Sequence, residues 1–233
     1  MVMLEVIVQN RQEAVEAEKL GADRVELVSA IQEGGLTPSF GTLKQVLGSV
    51  SIPVQVMIRP HSYDFHYTAE DMEVVREDVQ AVLDLGGNGI VFGALNRDYT
   101  VNEQALTDII NMAIGLDITF HRAFDEADSQ EKAYRTLAKY KLDVKRILTS
   151  GGENDCVHGK EQLGRLVRLS KQLEGPAIMP GGGLSSENIR NVHQTVGAHE
   201  YHFGKAVRIN RSFRSGFDQE IIQQVKGTME TGK

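Results

Sequence analysis

Eight side chains able to hold charge or move a proton sit inside or at the ends of apolar runs. They are Glu5 in LEVIV, Glu26 in DRVELV, Arg59 closing VQVMIRP, His121, Arg122 and Asp125 in DITFHRAFD, Ser150 after VKRILT, and His202 in EYHFGKA. A carboxylate in a strand covered on both faces costs several kcal/mol unless it is paired. Glu5 and Glu26 therefore need partners, and Arg59 is the cation this reading assigns to them. Two readings stay open for these carboxylates. They fill an interior with ion pairs, or, beside a histidine, they do general acid-base work. Neighbouring strand residues point to opposite faces. His121 shares the parity of Thr119, which places it inside and turns Phe120 outward. Arg122 and Asp125 then fall to a loop, where they clamp each other or touch a ligand.

Glycines supply the second kind of chemistry. SGG follows one apolar run and PGGG the next, so Gly151, Gly152, Gly181, Gly182 and Gly183 can present bare backbone N–H groups near helix starts, an arrangement that takes phosphate or carboxylate. The candidate catalytic residues are thus Glu5, Glu26, Arg59 and His121. The candidate ligand-binding residues are Asp64, Arg122, Asp125, Ser150, Gly151, Gly181, Gly182, Gly183 and His202. His61, Asp64 and His66 of RPHSYDFHY either hold a metal or belong to a solvated loop. Schiff-base chemistry needs a lysine near the site; Lys145 opens its run at the wrong end, leaving Lys205. No G-x-S-x-G elbow and no H-E-x-x-H or H-x-x-E-H helix is present.

These residues need elements to position them. The β-rich runs begin at Leu4, Asp23, Val54, Gly89, Asp117, Val144, Ala177 and Glu200, a mean spacing of 28 residues over seven intervals. Between them lie helical spacings with start and stop signals: Pro38 at a first helical position, Thr68 with Asp71, Asp128 with Glu131, and Gly21, Gly86 and Gly197 as left-handed helix ends. Eight β-α units predict an α/β fold, a closed (β/α)₈ TIM barrel, as a single domain over residues 1–233. The predicted strands lie near 4–8, 23–28, 54–60, 89–95, 117–124, 144–150, 177–180 and 200–204. A doubly wound sheet is the rival, but VQNRQE stands where its G-x-G-x-x-G fingerprint belongs. In a barrel the strand ends open on one mouth, where sites are built.

Composition narrows the partners. The chain has 233 residues, 41% hydrophobic and 24% charged, with a formal net charge of −7. This balance argues against nucleic acid and anionic membrane surfaces, which need clustered Lys and Arg, and leaves small molecules or protein partners, while the glycine turns point to a small anion. The first run is too short for a membrane span and lacks the flanks of an export signal, and Cys156 is the single cysteine. A cytoplasmic location is predicted.

Taken together, LEV, GADRVEL, EGGLTPSFG, IPVQVMIRP, DFHY, VFGAL, TFHRAFD, RILTSG, MPGGG and the histidine of EYHFG make the sequence resemble the CutC family of copper homeostasis proteins, from Leu4 to about Arg208. The resemblance implies a (β/α)₈ barrel, a cytoplasmic location, self-association as a homodimer, and copper as the bound metal. It points to Glu5, Glu26, Arg59, Asp64, His121, Arg122, Asp125, Ser150 and the glycines of PGGG. The chain departs from the family in its thiols: Ile7 and Val28 stand where members often carry cysteine, and thiolate is what Cu(I) selects. RPRGGDF has become RPHSYDF, and the segment after the last run is shorter, without the usual serine. Three functions follow as expectations. The first is a copper homeostasis protein of the CutC type. The second, favoured on chemistry alone, is a barrel enzyme, a lyase or isomerase on a small phosphorylated or carboxylated metabolite. The third is a non-catalytic binder of a small anion.

Overall fold

Alternation along each apolar run decides which side chains meet the helices and which meet the barrel axis. In the computed structural model, which describes residues 2–231, the runs form eight strands: β1 Met3–Val8, β2 Arg24–Leu27, β3 Val54–Met57, β4 Gly89–Phe92, β5 Asp117–Phe120, β6 Val144–Thr149, β7 Ala177–Pro180 and β8 Glu200–Phe203. All neighbours pair in parallel, in the order β7-β6-β5-β4-β3-β2-β1-β8. A parallel bridge between Gly181 and His202 brings β7 to β8 and closes the ring. The chain is a (β/α)₈ TIM barrel. No helix among the described residues is long and apolar enough to cross a membrane.

Eight helices cover the outside: α1 Arg11–Lys19, α2 Phe40–Leu47, α3 Ala69–Asp84, α4 Glu103–Ile110, α5 Gln130–Leu137, α6 Lys160–Leu173, α7 Ile189–Val196 and α8 Gln219–Thr231. Their apolar faces pack on the outward side chains of the strands, such as Leu4, Val6, Val25, Leu27, Ile118 and Phe120, all buried. Thr68 and Asp71 make a reciprocal capping box. Gly21, Gly86 and Gly197 all take left-handed backbone, with φ of 94°, 80° and 63°. Two expected starts shift by one residue or more. Ser39 caps α2, so Pro38 precedes that helix, and Ser129 rather than Asp128 caps α5.

Three strands end three or four residues earlier than expected, β3, β4 and β5 at Met57, Phe92 and Phe120, and β2, β6 and β8 lose one residue at an end or at each end. After Phe120 the chain enters a 3₁₀ turn, Arg122–Glu126, because the His121 side chain accepts the Ala123 N–H and caps that turn. Arg122 and Asp125 thus sit on a turn above the ladder.

The axis is filled by charge at the N-terminal end. Arg24 bonds Glu5 and lies 2.5 Å from Glu200, and Arg146 reaches Asp117 at 2.6 Å and Glu200 at 3.1 Å. Arg24 and Arg146 are both buried. This network closes the bottom of the barrel and leaves the C-terminal mouth open.

Candidate functional site

The mouth holds a cavity of about 510 Å³, a size suited to a small metabolite. Ile7, Met57, Phe65, Leu148 and Phe213 give it hydrocarbon walls. Glu26 and His202 come from the strands beneath, Arg59 and His121 from the ends of β3 and β5. The turn after β7, Gly181 to Ser185, and Lys205, Arg122 and Arg211 complete the lining.

Glu5, His202 and Glu26 form one chain of contacts. His202 Nδ1 lies 2.7 Å from Glu5 Oε1, and its Nε2 lies 3.8 Å from Glu26 Oε2. The two carboxylates titrate in opposite directions. Burial works against the Glu5 anion, but Arg24 and His202 outweigh it and hold Glu5 well below the usual carboxylate range. Glu26 lies beside Ile7 in the β1–β2 register. Desolvation raises its pKa, and the nearby Glu5 charge adds to the effect. His202 is lowered by burial but raised overall by Glu26 and Glu5. Glu26 and His202 therefore titrate as a coupled pair, while Glu5, held as an anion, orients the imidazole. Neither Glu5 nor Glu26 pairs with Arg59, contrary to expectation. Arg59 lies two residues past the end of β3, a layer higher, and its terminal nitrogens donate to the carbonyls of Glu33, Gly35 and Ser62.

His121 faces the axis, buried against the ring of Phe65 at 4.8 Å between centroids. Gly93 makes this pose available: a Cβ there would stand 2.7 Å from His121 Nδ1. Burial, with the Arg59 charge adding, lowers the imidazole pKa from 6.5 to about 3. Between those values the unfolded chain binds the extra proton, so stability falls as the pH drops from about 6.5 toward about 3. His121→Gln removes this group. In urea unfolding between pH 6 and 4 the wild type should lose about 1.4 kcal/mol per pH unit more than the variant, and parallel pH slopes would refute the assignment.

The rim behaves differently. Arg122 pairs with Asp125 at 2.8 Å and donates to Ser150 Oγ at 2.9 Å. Asp125 also accepts from the N–H groups of Ser150 and Gly152 and from the Thr149 hydroxyl. Gly151 gives its N–H to Thr149 Oγ1. The glycine turn after β6, expected to receive an external anion, is thus satisfied by the chain's own carboxylate, and Gly151, Ser150 and Asp125 serve as scaffold. The turn after β7 does line the cavity, with Gly182 at a φ of 113° that only glycine adopts without strain. Asp64 lies outside the cavity lining and accepts the His66 N–H. His61 stacks on Tyr63, and His66 bonds the Asn96 carbonyl at 2.8 Å. These three do not converge as a metal site. Among the described residues, the group with donor atoms close enough to share an ion is Glu5, Glu26 and His202, all within 4.8 Å.

Several residues here were not singled out from the sequence. Arg24 stands two positions before Glu26, and Glu200 two before His202, so strand parity alone would have put both on the axis. Phe65, Ser185, Arg211 and Phe213 come from loops, where spacing carries no such signal.

The chain matches the CutC family over residues 2–207. It belongs to that family. The human copper homeostasis protein cutC homolog is 39% identical over 200 residues, covering 86% of this chain and 72% of the relative. A CutC family protein of Xanthomonas axonopodis pv. citri is 42% identical, covering 85% and 81%. The crystal structure of a copper homeostasis protein CutC from Streptococcus agalactiae superposes with a TM-score of 0.79 at 29% identity, over 88% of this chain and 98% of that one. A phosphoribosyl anthranilate isomerase from Thermococcus kodakaraensis, at 16% identity and a TM-score of 0.66 over 99% and 100% of the two chains, shares the fold alone.

Proposed function

We propose that this member of the CutC family is an acid-base enzyme, a lyase or isomerase, acting on a small phosphorylated or carboxylated metabolite in the barrel mouth. One observation carries the reading: in a chain of net charge −7, the cavity is lined by Arg59, Arg122, Lys205 and Arg211 against one acidic lining residue, Glu26. Among the described residues only Arg122 and Arg211 of these cations are paired, with Asp125 and Glu187 at the rim. The Glu26 carboxyl is buried beside His202 with its pKa raised, as a proton carrier at neutral pH requires. The cations concentrate an anion, the turn after β7 receives it, and Glu26 with His202 moves the proton. A non-catalytic anion binder would have no use for a buried carboxyl kept near its switching point.

The copper named in the relatives does not suit this donor set. Cu(I) selects sulfur. Met57 supplies the one sulfur lining the cavity, and the family's thiol positions are Ile7 and Val28, which pack with Met57 and Val91. Cys156 is buried elsewhere, its thiol pushed up to about 12 by burial. Glu5 and Glu26 offer hard carboxylate oxygens, His202 adds one borderline imidazole and no sulfur joins them, and Glu5 already carries Arg24. A role of this chain in copper homeostasis would therefore run through the metabolite. The buried, unpaired Cys156 also fits a reducing, cytoplasmic setting.

A thermal-shift screen of sugar phosphates and small carboxylates tests the proposal. A ligand at a hundredfold its Kd adds about 2.7 kcal/mol to stability, a shift of several degrees. The shift should be lost in a Lys205→Met, Arg211→Met double variant. No stabilising compound, or equal shifts in the variant, would end the anion reading. Titration with Cu(I) against a competing chelator should show no tight stoichiometric site.

A further inference from the structure

Three buried polar atoms of cavity-lining residues have no partner: Glu26 Oε1, Arg59 Nε and His121 Nε2. Leaving a buried donor unmet costs about 1–3 kcal/mol, so such atoms at a cavity mark where a ligand completes the bonding. The side chains that carry the two donors both contact one aromatic ring. The Arg59 guanidinium carbon lies 4.8 Å from the Phe65 centroid, and the His121 ring lies 4.8 Å from it. His121 is 3% exposed and Arg59 9%.

Geometry also fixes which proton His121 carries. Its Nδ1 is 3.1 Å from the Ala123 nitrogen, a backbone N–H that can only donate. Nδ1 must therefore keep its lone pair, the ring is neutral, and its hydrogen is on Nε2. Arg59 is anchored too: three of its terminal N–H groups go to loop carbonyls, while Nε–H is buried with no partner. A neutral imidazole is a poor counter-ion for a full phosphate charge. It is well suited to a carbonyl oxygen on which charge develops.

We propose that Arg59 Nε–H and His121 Nε2–H form a two-donor subsite for a carbonyl oxygen, which makes the substrate a phosphorylated or carboxylated aldehyde or ketone. This deepens the acid-base reading above and rests on it. Glu26, as carboxylate, takes the proton from the carbon next to the carbonyl. The C–H electron pair becomes the carbon–carbon π bond of an enolate, the carbonyl π pair moves onto oxygen, and the two donors hold that charge. Return of the proton from the Glu26 carboxylic acid restores the carbonyl, so the step needs no oxidant, reductant or co-substrate. Arg59 and His121 touch the reacting oxygen, and Gly93 and Phe65 act as positioning residues.

The test uses the full chain and two probes, inorganic phosphate and 2-phosphoglycolate, whose carboxylate mimics the two oxygens of an enediolate. By calorimetry, 2-phosphoglycolate should bind at least about tenfold tighter than phosphate, and His121→Phe should remove that advantage while leaving phosphate affinity unchanged. In ¹⁵N-histidine NMR of the wild type, His121 should show a single Nε2–H tautomer from pH 5 to 8, with the proton moving downfield on saturation with 2-phosphoglycolate. The NMR result decides the matter even where the variant folds poorly. Equal affinities for the two probes, an unmoved His121 signal, or a tenfold advantage kept by His121→Phe would overturn the subsite and leave the anion reading standing. Failure of both probes to bind would remove both.

Discussion

Arg24→Ala is expected to lose about 3–5 kcal/mol of unfolding free energy, the usual cost of stripping one partner from a buried ion pair. Arg24 is 2% exposed and serves Glu5 and Glu200 at once. Without it Glu5 keeps only His202, and Glu200 keeps only Arg146. The effect should reach the site as well. With the guanidinium gone, the force holding Glu5 ionised weakens, and so does its grip on His202 Nδ1. Urea denaturation at pH 7 measures the loss. A useful control is Lys139→Ala, which breaks an exposed pair with Glu103 at 3.2 Å and should cost less than about 1 kcal/mol. Similar losses in the two variants would mean that the network on the axis is not holding the barrel together.

Glu26→Gln should have the opposite profile. The amide cannot carry a proton, so turnover of whichever metabolite stabilises the wild type should fall by about 10²- to 10⁴-fold. Binding should survive, because the cations that hold the anion are untouched. Stability should not suffer either. A carboxyl whose folded pKa lies above its unfolded one contributes most below the unfolded value, and that contribution is lost as pH rises through the folded value. The wild type therefore weakens with rising pH in a way the glutamine variant does not, and the variant gains on it from about pH 5 upward. Loss of ligand binding together with activity would instead make Glu26 a binding residue.

Much of this was legible in the sequence for a physical reason. Strand parity is strict, so Glu5, Glu26, His121 and His202 could be placed on the axis from their neighbours alone, and the repeat of β-α units fixed the barrel around them. What could not be read was height along the axis and the direction of long side chains. Arg59 has the parity to meet Glu26 but lies past the end of its strand, a layer above, where loop carbonyls claim it. The glycines after β6 have the composition of an anion nest, yet Asp125, five residues beyond β5, folds back to fill it. Loops add Phe65 and Arg211 by tertiary folding, and no local pattern announces them.

On the proposed function, Glu26 exchanges its proton near neutral pH at the floor of an anion-binding mouth. Carbon-13 NMR of side-chain-labelled glutamate, with Glu26→Gln to identify the resonance, measures this directly. The Glu26 carboxyl should titrate well above the ordinary value near 4.5, coupled to His202, while Glu5 stays ionised to far lower pH. A Glu26 carboxyl titrating at or below 4.5 would contradict it.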